Sequence, residues 1–448
     1  MVALLRALLA LPVIACAAPG APAQRPEPPA PVPAALADAT ERAIAQAVDA
    51  GNGEALALLE RIVNINSGTM NFAGVREVGA VLRAELDGLG LATRWVDGEG
   101  FGRAGHLVAE ARGAAGPRVV LIGHLDTVFE PSSPFQRFER LGEASARGPG
   151  IIDMKGGDVI IVYALRALKA AGVLDRLSVV VVMNGDEEHP GEPLAEARRA
   201  LVEAAGGAIA AIGFEDGDGD PRTANTARRG AGFWTLRSTG TPAHSSQIFR
   251  DDVGPGAIFE AARVLEAFRV RLAGERYLTF SPGLVLGGTA VALDAPHNQG
   301  TASGKTNVVA RELVVQGDLR TVSPAQLASA KAVMREVVAR PLPNTRSTIE
   351  FDDGYPPMAP TEGNRRLLAR YDAVSRDLGT GPVVAVDPSK AGAADVSFVA
   401  GLVPMALDGV GLAGRDDHTD KETADLSMLP ALTRRAALLL YRLSRDPH

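Results

Sequence analysis

The chain has 448 residues, 46% of them hydrophobic, 22% charged and 4% aromatic, with a formal net charge of -7. That length accommodates two domains and a large apolar core. The mild acidity and few aromatics exclude a broad electrostatic or stacking case for nucleic-acid binding. The single cysteine, Cys16, excludes an intramolecular disulfide and a thiolate metal site.

Residues 1–23 carry one positive charge, Arg6, before an apolar run from Ala7 to Ala15. This is the pattern of a secretory signal peptide, too short for a permanent membrane span. Val13-Ile14-Ala15-Cys16 resembles a bacterial lipobox, in which Cys16 becomes the lipidated first residue; cleavage after Ala21-Pro22-Ala23 is the other reading. Either one predicts an exported chain, periplasmic or secreted, with membrane attachment only through an N-terminal lipid. Residues 24–37 are rich in Pro and Ala and read as a linker.

From Asp38 the chain reads as folded. Leu56, Leu59 and Val63 share a helical face over Glu54–Val63, and Val78, Val81, Leu82, Leu86 and Leu89 do so over Gly74–Leu89, with Gly90 placed to end the helix. Leu107–Ala111 and Arg118–Gly123 read as strands, Gly156–Ala171 as an apolar helix, and Ser178–Asn184 and Ala208–Phe214 as further buried strands. Buried strands alternating with helices predict an α/β fold, a mainly parallel, helix-covered sheet. After Arg228 the pattern changes: strand Gly232–Ser238, helix Gly256–Val270, strands Tyr277–Leu286 and Leu313–Arg320, helix Pro324–Arg340 and strand Ser347–Asp352. This β-α-β-β-α-β order is a compact α+β unit of its own. The α/β pattern returns from Asn364 to a final helix near Ser427–Ser444. The expected organisation is therefore a catalytic domain over 38–227 and 356–448, interrupted by an inserted domain over 228–355.

Chemistry-bearing residues gather where strands run out or loops are rich in glycine. His124 and Asp126 follow the apolar run Val119–Ile122, a spacing that suits a ligating imidazole steadied by a carboxylate. Asp153 sits in a Gly-rich loop that feeds a helix. Asp186-Glu187-Glu188 follow a buried strand, as do Glu215 and Asp216; His244 and His418 lie in later loops. Imidazole and carboxylate ligands without thiolate suit Zn²⁺, Co²⁺ or Mn²⁺ in a water-accessible site. Two metals bridged by one carboxylate need about five protein ligands, a number that His124, Asp153, Glu188, Glu215 and His418 supply. The adjacent glutamates suggest a division of labour, one coordinating metal and one moving protons.

In this order, from about residue 40 to 445, these motifs resemble the M20 metallopeptidase family, and most closely its glutamate carboxypeptidase branch. The resemblance implies two zinc ions per subunit, with Asp153 bridging, His124 and Glu215 completing one site, and Glu188 and His418 completing the other. It implies that Asp126 holds the His124 ring and that Glu187 is the general base. It further implies that the inserted domain dimerises the protein and that His244 reaches the partner's site to stabilise the oxyanion. Asn307 and Arg320 match substrate-binding positions, the guanidinium fork suiting a substrate carboxylate. The implied reaction is cleavage of an amide beside a free carboxylate in a small peptide, the alternative being hydrolysis of N-acyl amino acids. Asp216 is the competing choice for Glu215, and His189 is a loop residue. His106 and His297 are structural or exposed, Lys155 and Asp395 carry no derivable role, and Arg228-Arg229 read as a solvated strand entrance.

Overall fold

The computed structural model describes residues 36, 38–111, 116–295 and 298–445. The expected export signal, Cys16, the linker other than Leu36, and His297 lie outside the described residues. Leu36 is buried in the core instead of lying on a tether.

Two helices open the fold. Helix α1 (Ala39–Val63) starts at Asp38, whose side chain accepts the Thr40 N–H, and so begins well upstream of the Leu56 stripe. Gly51-Asn52-Gly53 look like a break in the sequence, since a mid-helix Gly costs about 1 kcal/mol. Ile44, Ala45 and Val48 are nonetheless buried together with Leu58, Leu59 and Ile62, and this packing carries the helix through. Helix α2 (Phe72–Gly88) is capped by Asn71 and ends ahead of Gly90, whose φ is 87°.

Strands β1 (Ala92–Asp97), β2 (Gly105–Ala111) and β3 (Arg118–His124) join three later ones in a six-stranded sheet. Its order is β1, β2, Ser178–Asn184, β3, Ala208–Gly213, Met405–Leu407. The last four run parallel, while β2 is antiparallel to both of its neighbours. The sheet is parallel-rich with an antiparallel edge. Val119 and Leu121 face one apolar layer, which includes α1 and helix α3 (Gly156–Ala170); Val120 and Ile122 face another, with Leu201, Val396 and Val399. Both faces are covered, which is why the strand reads as an unbroken apolar run. Each such side chain, fully buried, contributes about 1.5–3 kcal/mol. Helix α3 packs against both α1 and the final helix Leu429–Leu443, so nearly its whole circumference is apolar.

Residues 231–355 build a second, wholly antiparallel sheet in the order Thr279–Gly288, Glu312–Arg320, Ala231–Gly240, Thr345–Tyr355. Helices Gly256–Leu272 and Pro324–Val338 close its core around Trp234, Leu236, Phe268, Val315 and Met334. This is the expected order plus a hairpin, Ala290–Asp294 with Gln299–Ser303. The chain enters and leaves this unit side by side, Arg228 and Met358 exchanging both backbone hydrogen bonds at 3.0 Å. A Cβ on Gly230 would come within 2.7 Å of the Tyr355 carbonyl oxygen, so the crossing needs glycine. Arg228 is not solvated: it is 5% exposed and its Nε donates to Asp408 at 2.5 Å. The paired connections carry it down beside the residue that follows Met405–Leu407. Among the described residues no helix is long and apolar enough to cross a membrane.

Candidate metal centre

The polar cluster lies beyond the C-terminal ends of the parallel strands, where open α/β sheets build their sites. His124 ends β3, and its cross-strand partner Asn184 ends the neighbouring strand, so the His124 loop and the Glu187 turn start side by side. The His124 Nδ1 sits 3.0 Å from the Asp126 carbonyl oxygen, leaving Nε2 to face Asp153 Oδ1 at 3.0 Å and Glu215 Oε1 at 3.6 Å. His418 Nε2 meets the other Asp153 oxygen at 2.8 Å and Glu188 Oε2 at 3.2 Å. His124, Asp153 and Glu215 form one group of donor atoms within 4.8 Å of one another, and Asp153, Glu188 and His418 form a second. Asp153 belongs to both, one oxygen to each. The five expected ligand residues are brought together from loops spread along most of the chain; Asp216 adjoins Glu215 but belongs to neither group.

Asp126 stands beside the His124 ring as expected, but its backbone makes the shorter contact. The carboxylate is 3.5 Å from Nδ1, while the backbone carbonyl of the same residue makes the hydrogen bond. The carboxylate also accepts the Thr69 hydroxyl at 2.6 Å and the N–H groups of Glu187 and Glu188 at 3.0 and 3.1 Å. Its reach across to the Glu187 turn follows from the adjacency of the two strands.

Four acidic side chains and His124 share little water here, His418 closes the cluster from the exposed side, and their protonation reflects it. Burial pushes Glu215 up to about 7, and burial together with the Asp153 charge pushes Glu188 up to about 8. Glu187 is raised well above its usual range by burial, then by Asp395 and Glu215. Asp153 moves the other way: hydrogen bonds from His124 and His418 overcome its burial. His418 rises to about 11 through its bonds to Asp153 and Glu188. His124 is raised despite burial because Glu215, Asp126 and Asp153 surround it. This crowd of negative groups calls for positive charge. Glu188 Oε1 is buried with no hydrogen-bond partner. The donors are imidazole nitrogens and carboxylate oxygens without sulfur, so the residues fit a pair of borderline divalent cations sharing Asp153.

Glu422, Asp158 and Arg198 carry no sequence signal, and the roles of His106, Lys155 and Asp395 emerge only from their partners. Glu422 is fully buried and accepts three N–H groups of the Asp153 loop, from Gly150, Ile152 and Asp153, at 2.9 to 3.1 Å. Asp158 lies beneath β3, where a Cβ on Gly123 would meet its Oδ1 at 2.2 Å; burial pushes its carboxyl well up. Arg198 is 1% exposed and pairs with Asp186 and Asp395, so Asp186 faces away from the cluster and Asp395 gains a role. His106 is buried, accepting the Gly185 N–H at 3.1 Å and donating to the Ala197 carbonyl at 2.7 Å. Lys155 is buried as well, its Nζ donating to the Ile65 carbonyl at 3.0 Å.

The remaining three expected residues belong to the second sheet. The His244 and Asn307 loops are joined by a ladder, Ser245 N–H to the Asn307 carbonyl and Val309 N–H to the Ala243 carbonyl, both at 2.9 Å. Both residues are exposed, and His244 Nδ1 meets Ser246 Oγ at 2.8 Å. Arg320 stands at the far end of the nine-residue strand Glu312–Arg320, where its Nε donates to Asp318. At about 3.4 Å per residue, some 27 Å of strand separates the two ends.

Residues 120–442 match the model of peptidase family M20/M25/M40. The chain belongs to the M20 peptidases. As a member of that family it is a metallopeptidase, a hydrolase of amide bonds. It is 25% identical over 412 residues to carboxypeptidase G2 of Pseudomonas sp. (strain RS-16), covering 91% of this chain and 94% of that protein. Its fold matches the aminopeptidase PepT from Bacillus cereus with a TM-score of 0.69 at 17% identity, over 88% of this chain and 99% of that one. It also matches a Bacillus subtilis protein described as a dinuclear metal-binding M20 peptidase, with a TM-score of 0.61 at 14% identity, over 89% and 99% of the two chains.

Proposed function

We propose that this M20 peptidase is a zinc-dependent carboxypeptidase that hydrolyses an amide bond beside a free terminal carboxylate. The observation that carries the reading is the pair of glutamates after Asn184. Glu188 turns onto His418 and Asp153, whereas Glu187 beside it makes no ion pair among the described residues. Likeness to carboxypeptidase G2 along almost the whole chain supports the carboxypeptidase assignment.

Two zinc ions, when bound by the two ligand groups, supply Lewis acidity that polarises the scissile carbonyl and acidifies water. Glu187, as the carboxylate not spent on coordination, takes the proton of the attacking water and passes it to the departing amine nitrogen. Asp126 fixes the turn that carries Glu187 and Glu188 by accepting both of their N–H groups. Arg320 pairs with the substrate's free carboxylate as a planar fork. The Asn307 loop is tied to the His244 loop, so both residues come from the second copy, while Arg320, at the end of Glu312–Arg320 away from that loop, comes from the site's own chain. The oxyanion is then stabilised by the partner's His244, while the partner's Asn307 binds substrate. Ile258, Phe259, Val270 and Val285, exposed apolar side chains of the second sheet and its helix, support a homodimer through this unit. Residues 1–23 support export, with Cys16 as a candidate lipid attachment point.

The test is a chelated and zinc-restored preparation assayed by liquid chromatography against C-terminal glutamyl dipeptides and N-acetyl amino acids. Chelation abolishes turnover, zinc restores it, and the dipeptides are cleaved. Activity that survives chelation refutes the metal chemistry; cleavage confined to N-acetyl amino acids transfers the assignment to an acyl-amino-acid hydrolase.

A further inference from the structure

The turn from Gly185 to Glu188 has its backbone polar groups tied to partners that are nearly all in the first sheet and its loops. Gly185 N–H goes to His106, the Asp186 carbonyl accepts from Arg198 Nη2 at 3.1 Å, and the N–H groups of Glu187 and Glu188 go to Asp126. The Glu187 carbonyl is the exception. It accepts the hydroxyl of Tyr355 at 2.8 Å, and Tyr355 is the last residue of the strand that leaves the second sheet.

Tyr355 is held from both sides. On one side it still pairs with Ala231 in the second sheet, after a register shift between Asp352 and Tyr355 where Gly354 takes a φ of 45°. On the other, its hydroxyl accepts from the buried Arg198 at 2.5 Å, and its ring meets Phe398 edge-on at 4.9 Å. Arg198 is anchored in turn, Nε donating to Asp395 at 2.7 Å and Nη1 to Asp186 at 2.6 Å. The hydroxyl therefore uses both its hydrogen-bonding capacities, with Arg198 as donor to it and the Glu187 carbonyl as acceptor from it.

We propose that Tyr355 is a positioning residue: its hydroxyl sets the placement of Glu187 and makes it depend on how the second sheet is seated. The proposal rests on Glu187 as the general base. A proton-transferring carboxylate must lie within hydrogen-bond reach of its target, and an ångström of misplacement is enough to cost a large factor in rate. Among the described residues, the hydroxyl makes the only bond from the second sheet to the backbone of this turn.

Tyr355→Phe removes the hydroxyl and keeps the ring against Phe398. In the zinc-loaded enzyme kcat falls about tenfold while KM and bound zinc stay within about twofold. In a Glu187→Asp background the same substitution changes kcat by less than about twofold, because coupled residues are not additive. Amide hydrogen exchange of the 185–191 segment, read by mass spectrometry on the purified protein, becomes faster in Tyr355→Phe while 118–124 keeps its rate. Unchanged kcat and unchanged exchange, a kcat loss that tracks zinc loss, full additivity with Glu187→Asp, or a Tyr355→Phe protein that does not fold each overturns the proposal. If the parent itself cleaves no amide, the reading of Glu187 as base fails. The exchange measurement then still separates a Tyr355 bond that holds the turn from one that does not.

Discussion

Glu422→Ala removes a side chain that touches no expected ligand side chain, and its effect can be worked from three hydrogen bonds. Glu422 is buried completely and accepts N–H groups from Gly150, Ile152 and Asp153. Alanine leaves all three donors without a partner, at about 1–3 kcal/mol each. Water entering the vacated space recovers part of this, so the expected loss is about 3–5 kcal/mol, a large share of a typical 5–15 kcal/mol of stability. One term opposes it. Burial pushes the Glu422 carboxyl up to about 7, so above that pH the protein bears the cost of an ion in a dry site, and the substitution relieves it. The destabilisation is therefore larger at pH 6 than at pH 8. The assay is urea unfolding of chelated parent and variant at both pH values. A variant within 1 kcal/mol of the parent at pH 6, or a larger loss at pH 8, refutes the reasoning. Zinc affinity should fall alongside, by about 10–100-fold, as it does when residues that orient ligands are lost.

Three further outcomes follow from the same site. Glu188, Glu215 and Glu422 have folded values of about 8, 7 and 7, above the ordinary carboxylate range, so their contribution to stability is present at low pH and is lost as pH rises through those values. The metal-free protein accordingly loses stability from about pH 5 to 8 while the zinc-loaded protein does not; thermal melts of both forms showing the same slope would falsify this. Glu187→Gln lowers kcat by about 10²–10⁴ with bound zinc unchanged, and elemental analysis beside steady-state kinetics checks both halves. Mixing inactive Glu187→Ala and His244→Ala proteins under conditions of subunit exchange restores activity, because a mixed dimer holds one complete site. Mixtures that stay inactive, despite exchange shown by differently tagged subunits, place His244 outside the partner's site.

Much of this architecture is legible in the sequence because its causes are local. The apolar run Val119–Ile122, the Gly-rich loop before Asp153 and the glutamates after Asn184 each announce a strand end or a helix start, and the cluster assembles from them. The alternating pattern of 231–355 likewise predicts its own sheet. What escapes the sequence depends on partners distant along the chain. Glu422 looks like any polar loop residue until the Asp153 loop folds onto it, some 270 positions away. Arg228 reads as a surface charge until Asp408 is beside it. Asp126 is legible as a support for His124 but not for the neighbouring turn, since the N–H groups of Glu187 and Glu188 reach it only through the pairing of two strands. The first half of α1 is hidden by glycines whose cost packing overrides.

The order of the ligands along the chain has a consequence for how the protein comes into being. His124, Asp153 and Glu215 precede the second sheet, whereas His418 and its neighbour Glu422 follow it, some two hundred positions after Glu215. A nascent chain emerging from the ribosome therefore carries the residues of one ligand group long before the other can close. Met405–Leu407, the edge strand that delivers the final loop, follows the whole of the second sheet. Because domains tend to fold as units during synthesis, the catalytic domain cannot complete its core until the helix Leu429–Leu443 is made, and the second ligand group closes only at that late stage.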